Sequence, residues 1–297
     1  MLIFRCKNCN AEMSVSRIGD LKCPYCGSHK FFSDKELSEY KEFRMRMLEY
    51  LSASANEESS SVNLERLWNN AETAEFLDSE KNPICIQYIY KSVNHGITMY
   101  AAIRNVIFIY PKDKRNYADM AIKAFSKVTF PQADMKGLGR CFPVFAGKYE
   151  LEDESIMLVY SKDENMYPVG MFGALPAKHV EWIISRMENI ACVLAFNDMI
   201  HGGINIDAVF INPITHEAAL YGNWHLMKPY IRGISVDLQD IRTMAQKLLG
   251  EEYGDAPQPL IRFIEGQPAD SAYADFAKWD KVIENELGGR HFTKFKL

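Results

Sequence analysis

Ile200-His201-Gly202-Gly203-Ile204-Asn205-Ile206-Asp207-Ala208-Val209-Phe210-Ile211 links the clearest helical pattern in the chain to a pair of short strands. Upstream, Pro176 opens a helix in which Val180, Ile183, Ile184, Met187, Ile190, Ala191 and Leu194 share one face. Proline sits at the first turn, where its missing N–H has no helical partner to lose. Downstream, Val209–Asn212 and Ala218–Tyr221 read as strands, and Ser235 to Leu249 as another helix. Further back, Ile84–Val93, Thr98–Ile103 and Val106–Tyr110 are β-branched and aromatic runs, the first two separated by His95-Gly96 as in a hairpin. Tyr117–Val128 has helical spacing, and Cys141–Ala146 and Ser155–Tyr160 again read as strands. Strands, one helix, two more strands and then a helical half broken by a small hairpin make an α+β, two-lobed arrangement.

The opening stretch resembles the catalytic loop of protein kinases and small-molecule phosphotransferases, whose pattern is H-[RG]-D-x-x-x-x-N followed by apolar residues. Ala218–Tyr221 then stands where the metal-binding strand of that family lies. Ser235-Val236-Asp237-Leu238-Gln239-Asp240-Ile241 resembles the segment in which a buried Asp begins the large helix of the second lobe. Leu287-Gly288-Gly289-Arg290-His291-Phe292-Thr293-Lys294-Phe295 resembles a tail of kinase-like domains of bacteria and phages, some of which follow zinc-binding or chaperone-type modules. The resemblance spans about residues 84–297 and implies a protein kinase-like fold.

Phosphoryl transfer is mostly positioning and charge neutralisation. It needs an Asp to orient the hydroxyl, an Asn and a second Asp for magnesium, and a Lys on the phosphates. Carried over residue by residue, the resemblance puts Gly203, Ala208, Gly222 and Phe108 at those positions. None of these side chains can ligate magnesium or pair with a phosphate. Ala121-Ile122-Lys123 mimics the A-I-K of a kinase third strand, but its surroundings have helical period, and Val106-Ile107-Phe108-Ile109 is the better strand. His201 is expected to support the loop backbone, and Asp207 to be solvated or capping. Asp237 and Asp240 are placed to cap the helix they precede, with Asp237 also able to bond back to Gly202. Trp182 and Trp224 read as core or groove-lining aromatics.

The first 26 residues hold a different chemistry. Cys6-Lys7-Asn8-Cys9 and Cys23-Pro24-Tyr25-Cys26 are two C-x-x-C pairs separated by thirteen residues. Four thiolates in two pairs match the closed, tetrahedral coordination of structural zinc. Two disulfides or one redox pair are the alternatives, though a redox pair would not need a second pair at this spacing. Lys7 and Lys22 favour deprotonated thiols, and Gly27 allows the backbone to turn tightly after the second pair. Metal also explains how so short a segment folds, since it cannot bury enough apolar surface alone.

These features predict a zinc ribbon over residues 1–32, a helical linker over 33–82 and a kinase-like domain over 83–297, with lobes meeting near residue 165. In the linker, Ser33-Asp34-Lys35-Glu36 is a capping box, followed by a stripe of Leu37, Tyr40, Phe43, Met47 and Leu51. Ser52 to Ser61 is small, polar and acidic, as in a flexible connection, and a shorter helical stretch surrounds Leu64, Leu67 and Trp68.

The 297 residues carry a net charge of −5, which argues against general affinity for nucleic acid. The ribbon's own Arg5, Lys7, Arg17, Lys22 and Lys30 leave local nucleic-acid contact open, with a solvated face as the plainer reading. No apolar run reaches the ~20 residues of a membrane span, and Met1–Arg5 leaves no room for a signal-peptide core before the first cysteine. Cys85, Cys141 and Cys192 read as buried thiols in a reducing, cytoplasmic setting. Together, the four empty positions imply a degenerate kinase-like protein that binds a protein partner and carries structural zinc. A phosphotransferase using relocated residues such as Lys123, Asp207 or Asp240, or nucleic-acid binding through the ribbon, are the alternatives.

Overall fold

Two antiparallel hairpins open the chain. The computed structural model describes residues 2–6, 8–9, 11–15, 19–54, 65–130, 133–230, 236–290 and 295. In it β1 (Leu2–Arg5) pairs with β2 (Glu12–Val15), and β3 (Gly19–Lys22) with β4 (His29–Phe32). Each hairpin carries one C-x-x-C pair at its turn. Its buried apolar residues are only Cys6, Met13 and Cys23 among those described, too few to hold the segment without a cross-link.

The capping box forms as read. Ser33 N donates to Glu36 Oε2 at 2.8 Å and Glu36 N to Ser33 Oγ at 3.2 Å, starting α1 (Asp34–Ser54). Leu37, Tyr40, Phe43 and Met47 are buried; the Leu51 side chain and residues 55–64, including most of the expected flexible connection and Leu64, lie outside the described residues. The buried stripe docks on the helical lobe, with Tyr40 5.7 Å from the ring of Phe196 and Phe43 edge-on to Phe276 at 5.9 Å. Lys30 of the ribbon lies over Phe196 and 3.8 Å from Asp198. Arg46 of α1 and Arg290 both pair with the buried Asp280. Ribbon and first helix are therefore seated on the second lobe.

After a 3-10 turn at Glu65–Asn70, the first lobe is one six-stranded antiparallel sheet in the order β5-β6-β7-β8-β10-β9. Its strands are β5 (Glu72–Leu77), β6 (Pro83–Asn94), β7 (Ile97–Ala102), β8 (Asn105–Tyr110), β9 (Val144–Glu150) and β10 (Ile156–Ser161). The sheet thus begins at Glu72, inside the stretch read as linker. The run expected to start at Cys141 starts at Val144 instead: Cys141 ends a 3-10 turn, and Pro143, with no N–H, delays the ladder. α2 (Arg115–Phe125) connects β8 to β9, and β10 slots between them. The sheet rolls until Asp78 bridges Leu151, enclosing a second small core of Ile86, Tyr88, Tyr100, Ile107, Leu151 and Met157.

The second lobe follows β11 (Tyr167–Pro168). Its centre is α3 (Ala177–Phe196), with Pro176 at the N-cap, one position earlier than expected. The seven residues of its expected apolar face are at most 3 % exposed. Around it lie β12 (Met199–Ile200), the hairpin β13 (Val209–Asn212) and β14 (Glu217–Leu220), β15 (Lys228–Pro229), α4 (Val236–Leu249), α5 (Gln258–Glu265) and α6 (Ala272–Glu286). This is the two-lobed, kinase-like α+β arrangement expected from the sequence, preceded by a four-cysteine module compatible with a zinc ribbon. Among the described residues, no helix is long and apolar enough to cross a membrane. One expectation about thiols fails. Cys192 is buried and Cys141 half-buried, but Cys85 is exposed, because the alternation of β6 turns Ile84 and Ile86 inward and Cys85 out.

Candidate functional sites: the cysteine cluster and the interlobe groove

The two knuckles are built alike. Cys6 N donates to Ala11 O and Cys23 N to Ser28 O, both at 2.8 Å and both spanning five residues. Gly27 (φ +72°) closes the second turn by donating to Cys23 O at 3.0 Å. The four Sγ atoms all lie within 4.8 Å of one another, with Cys6–Cys26 and Cys9–Cys23 at 3.5 Å. A tetrahedron with metal–sulfur bonds of ~2.3 Å has edges of ~3.8 Å, so the four cysteines fit one metal ion. Ser28, which the spacing did not single out, lies 3.1 Å from Cys6 Sγ and 3.0 Å from Cys26 Sγ. Its hydroxyl lowers both thiols, Cys26 to about 6. At Cys9 the Ala11 amide favours the thiolate, but desolvation and the three neighbouring thiols outweigh it and push the group up to about 12. A cation placed among them would relieve that crowding.

The loop at His201 is held as a buried frame. His201 is fully buried, and its Nε2 donates to Gly222 O at 2.9 Å while the ring meets Trp224 edge-on at 5.0 Å. Burial pushes this imidazole down to about 3, so it is neutral and serves the backbone, as expected. Asp237 accepts from His201 N at 2.8 Å and Gly202 N at 2.7 Å, and Asp240 from Ile204 N at 3.3 Å. The bond back to Gly202 is therefore present. Both acids lie inside the first turns of α4 rather than before it, and among the described residues their hydrogen bonds run to the loop. Burial raises both carboxyls, Asp240 to about 6 with help from the charge on Asp237.

The four positions that the sequence resemblance assigns to catalysis, Phe108, Gly203, Ala208 and Gly222, carry no group for phosphate or metal. Phe108 lies buried on β8, and Lys123 is exposed in the last turn of α2, away from the strand that its A-I-K surroundings imitate. At Gly203 a Cβ would stand 2.8 Å from Asn223 Cβ and 2.9 Å from Leu226 Cδ1. At Gly222 it would stand 2.8 Å from Ala208 Cα, which is backbone and cannot swing aside. A side chain added at either glycine would therefore meet atoms already in place. Between Met99, Phe108, Tyr110, Asp207, Asn223 and His225 a cavity of about 20 Å³ remains. That is room for about one water, against ~300–1,000 Å³ for sites that hold drug-sized ligands.

Contacts from the first lobe tighten the closure. Tyr90 OH donates to Asp207 Oδ1 at 2.6 Å, so Asp207 is a link between lobes rather than the solvated or capping residue expected. Asn94 Nδ2 reaches Asn223 Oδ1 at 3.5 Å. His225, absent from the sequence reading, is 4 % exposed, stacked 5.1 Å from Tyr117, and burial pushes it down to about 4. Trp224 is core, as expected, and the half-buried Trp182 stacks on His216 at 4.7 Å.

No family model matches the chain, and no curated protein matches it in sequence. Among solved structures it is similar to vaccinia related kinase 3, with 12 % identity and a TM-score of 0.48 over 80 % of this chain and 96 % of that one. It is similar to WbdD in a co-crystal with the kinase inhibitor LY294002, with 13 % identity and a TM-score of 0.44 over 74 % and 55 %. It is also similar to the kinase domain of PF14_0431, with 9 % identity and a TM-score of 0.40 over 55 % and 63 %.

Proposed function

We propose that the chain is a catalytically degenerate, kinase-like binding protein that holds a protein partner and carries one structural zinc ion. The observation behind this reading is the closed groove. With Phe108, Gly203, Ala208 and Gly222 at the positions the resemblance assigns, and no space for larger side chains at either glycine, a triphosphate would meet no cation and no magnesium ligand at those four positions. The two-lobed scaffold then serves as a surface. Its ribbon, seated through Lys30 and α1 on the second lobe, extends that surface. Zinc is the metal of choice for four thiolates in a closed tetrahedron, where no position is left for an activated water. Zinc thiolates and the exposed thiol of Cys85 suit a reducing compartment such as the cytoplasm.

Incubation with radiolabelled ATP and magnesium tests this reading. The purified chain should label neither itself nor a generic substrate. Labelling that disappears in Lys123→Ala or Asp207→Ala would replace the binding-protein reading with relocated phosphotransfer chemistry.

A further inference from the structure

Three helices of the second lobe bring two acids and one guanidinium together where water does not reach. Glu188 of α3, Arg242 of α4 and Asp275 of α6 are each at most 1 % exposed. Arg242 is committed elsewhere than to Glu188. Its Nη2 donates to Asp275 Oδ1 at 2.9 Å, its Nη1 to Leu238 O at 3.0 Å, and its Nε to Phe263 O and Gly266 O at 3.2 and 3.1 Å. Its plane also lies 4.2 Å over the Phe263 ring. Asp275 Oδ1 takes a further bond from Ala269 N at 2.8 Å. Glu188 receives only a 4.0 Å approach from Arg242 Nη1. Among the described residues, both Glu188 oxygens and Asp275 Oδ2 lack a hydrogen-bond donor, although Arg242 Nη1 stands 2.8 Å from Asp275 Oδ2 out of line for a bond.

Two carboxylates against one cation leave one uncompensated negative charge in a dry core, which is among the most costly arrangements a fold can hold. They also leave acceptors facing acceptors. One proton removes both faults, since it cancels the surplus charge and turns a Glu188 oxygen into a donor within hydrogen-bonding reach of Asp275. We propose that Glu188 is un-ionised at neutral pH and donates its proton to Asp275, which makes the junction of α3, α4 and α6 an alkali-sensitive joint.

The surroundings support this. Burial, and then the charge of Asp275, push the Glu188 carboxyl well up, while Arg242 and Lys278 of α6 pull the other way. Among the described residues, the other acidic groups acting on this part of the core include the buried thiol of Cys192 on α3 and the buried phenol of Tyr273 on α6, both held well up by burial, and Glu39 of α1. Because the folded-state value lies above the unfolded one, the contribution is complete at low pH. It is lost as pH rises through the folded value.

Infrared spectra of the full-length protein, labelled with carboxyl-¹³C glutamate, test the proposal at neutral pH. The isotope-shifted C=O stretch of an un-ionised glutamic acid should be present, should vanish in Glu188→Gln and should persist in Glu181→Gln. In parallel, the melting temperature of the wild type should fall on moving to alkaline pH, and Glu188→Gln should make that fall smaller, because its amide donates to Asp275 without titrating. A spectrum with no un-ionised glutamate, a band that vanishes in Glu181→Gln, or an alkaline decline unchanged by Glu188→Gln would each overturn the proton on Glu188. The wild-type and Glu181→Gln spectra decide the matter even if Glu188→Gln fails to fold.

Discussion

The ribbon and the interlobe groove solve opposite problems with small residues and backbone turns. In the ribbon, tight turns bring four cysteines within 4.8 Å of one another around a space that suits one cation. In the groove, close contacts at Gly203 with the Asn223 side chain and at Gly222 with the Ala208 backbone remove space, each neighbour 2.8 Å from where a Cβ would stand. The first region has its chemistry in side chains and almost no core of its own. The second has a well-buried core and, at Phe108, Gly203, Ala208 and Gly222, side chains that neither ligate metal nor pair with phosphate. The loop is held from beneath by His201 on Gly222 O, and by Asp237 on the amides of His201 and Gly202.

The contrast can be broken most directly at the ribbon. Metal analysis of protein purified without added zinc should find close to one equivalent, and Cys23→Ser should lose it. Apparent binding energies for such sites are ~10–16 kcal/mol, so chelation should unfold residues 1–32 as a unit. A metal-free ribbon that stays folded would remove the first half of the contrast. The frame of the second lobe can be probed next. Ile184→Ala, at a fully buried position on α3, should lower unfolding free energy in denaturant titrations by ~2–5 kcal/mol. A loss below ~0.5 kcal/mol, the range of surface changes, would contradict that burial.

Closure of the groove makes two smaller claims. Gly222→Ala should cost ~1–3 kcal/mol by the same titration, because the added methyl meets the backbone of Ala208. A neutral or stabilising result would show that the groove has slack. Tyr90→Phe, which removes the bond across the lobes to Asp207, should cost about 1 kcal/mol. An unchanged stability would mean that the lobes do not depend on that contact.

How far the sequence could be read follows the same division. The cysteine spacing, the capping box at Ser33 and the face of α3 are local patterns, and each appears in the structure where it was expected. Asp237 was readable because its place before a helix matched a known loop support. β5 was not. Glu72-Thr73-Ala74-Glu75-Phe76-Leu77 has few β-branched residues and is a strand because its backbone pairs with Pro83–Tyr88. Ser28 beside the thiols gives no spacing signal. Tyr90 and Asp207 are 117 residues apart and meet only because the lobes close. The sequence places glycine at 203 and 222, but only the fold shows how little room a side chain would have there.

That closure is tested most directly by a thermal-shift titration of the full-length protein with magnesium and ATP. A nucleotide that binds the folded state must raise the melting temperature by mass action, by the equivalent of about 2.7 kcal/mol at one hundred times its dissociation constant. With the groove filled by Phe108, Tyr110 and His225, the melting temperature should stay flat through millimolar Mg-ATP. A saturable upward shift would show that the groove admits nucleotide, and the closed-groove reading would be wrong.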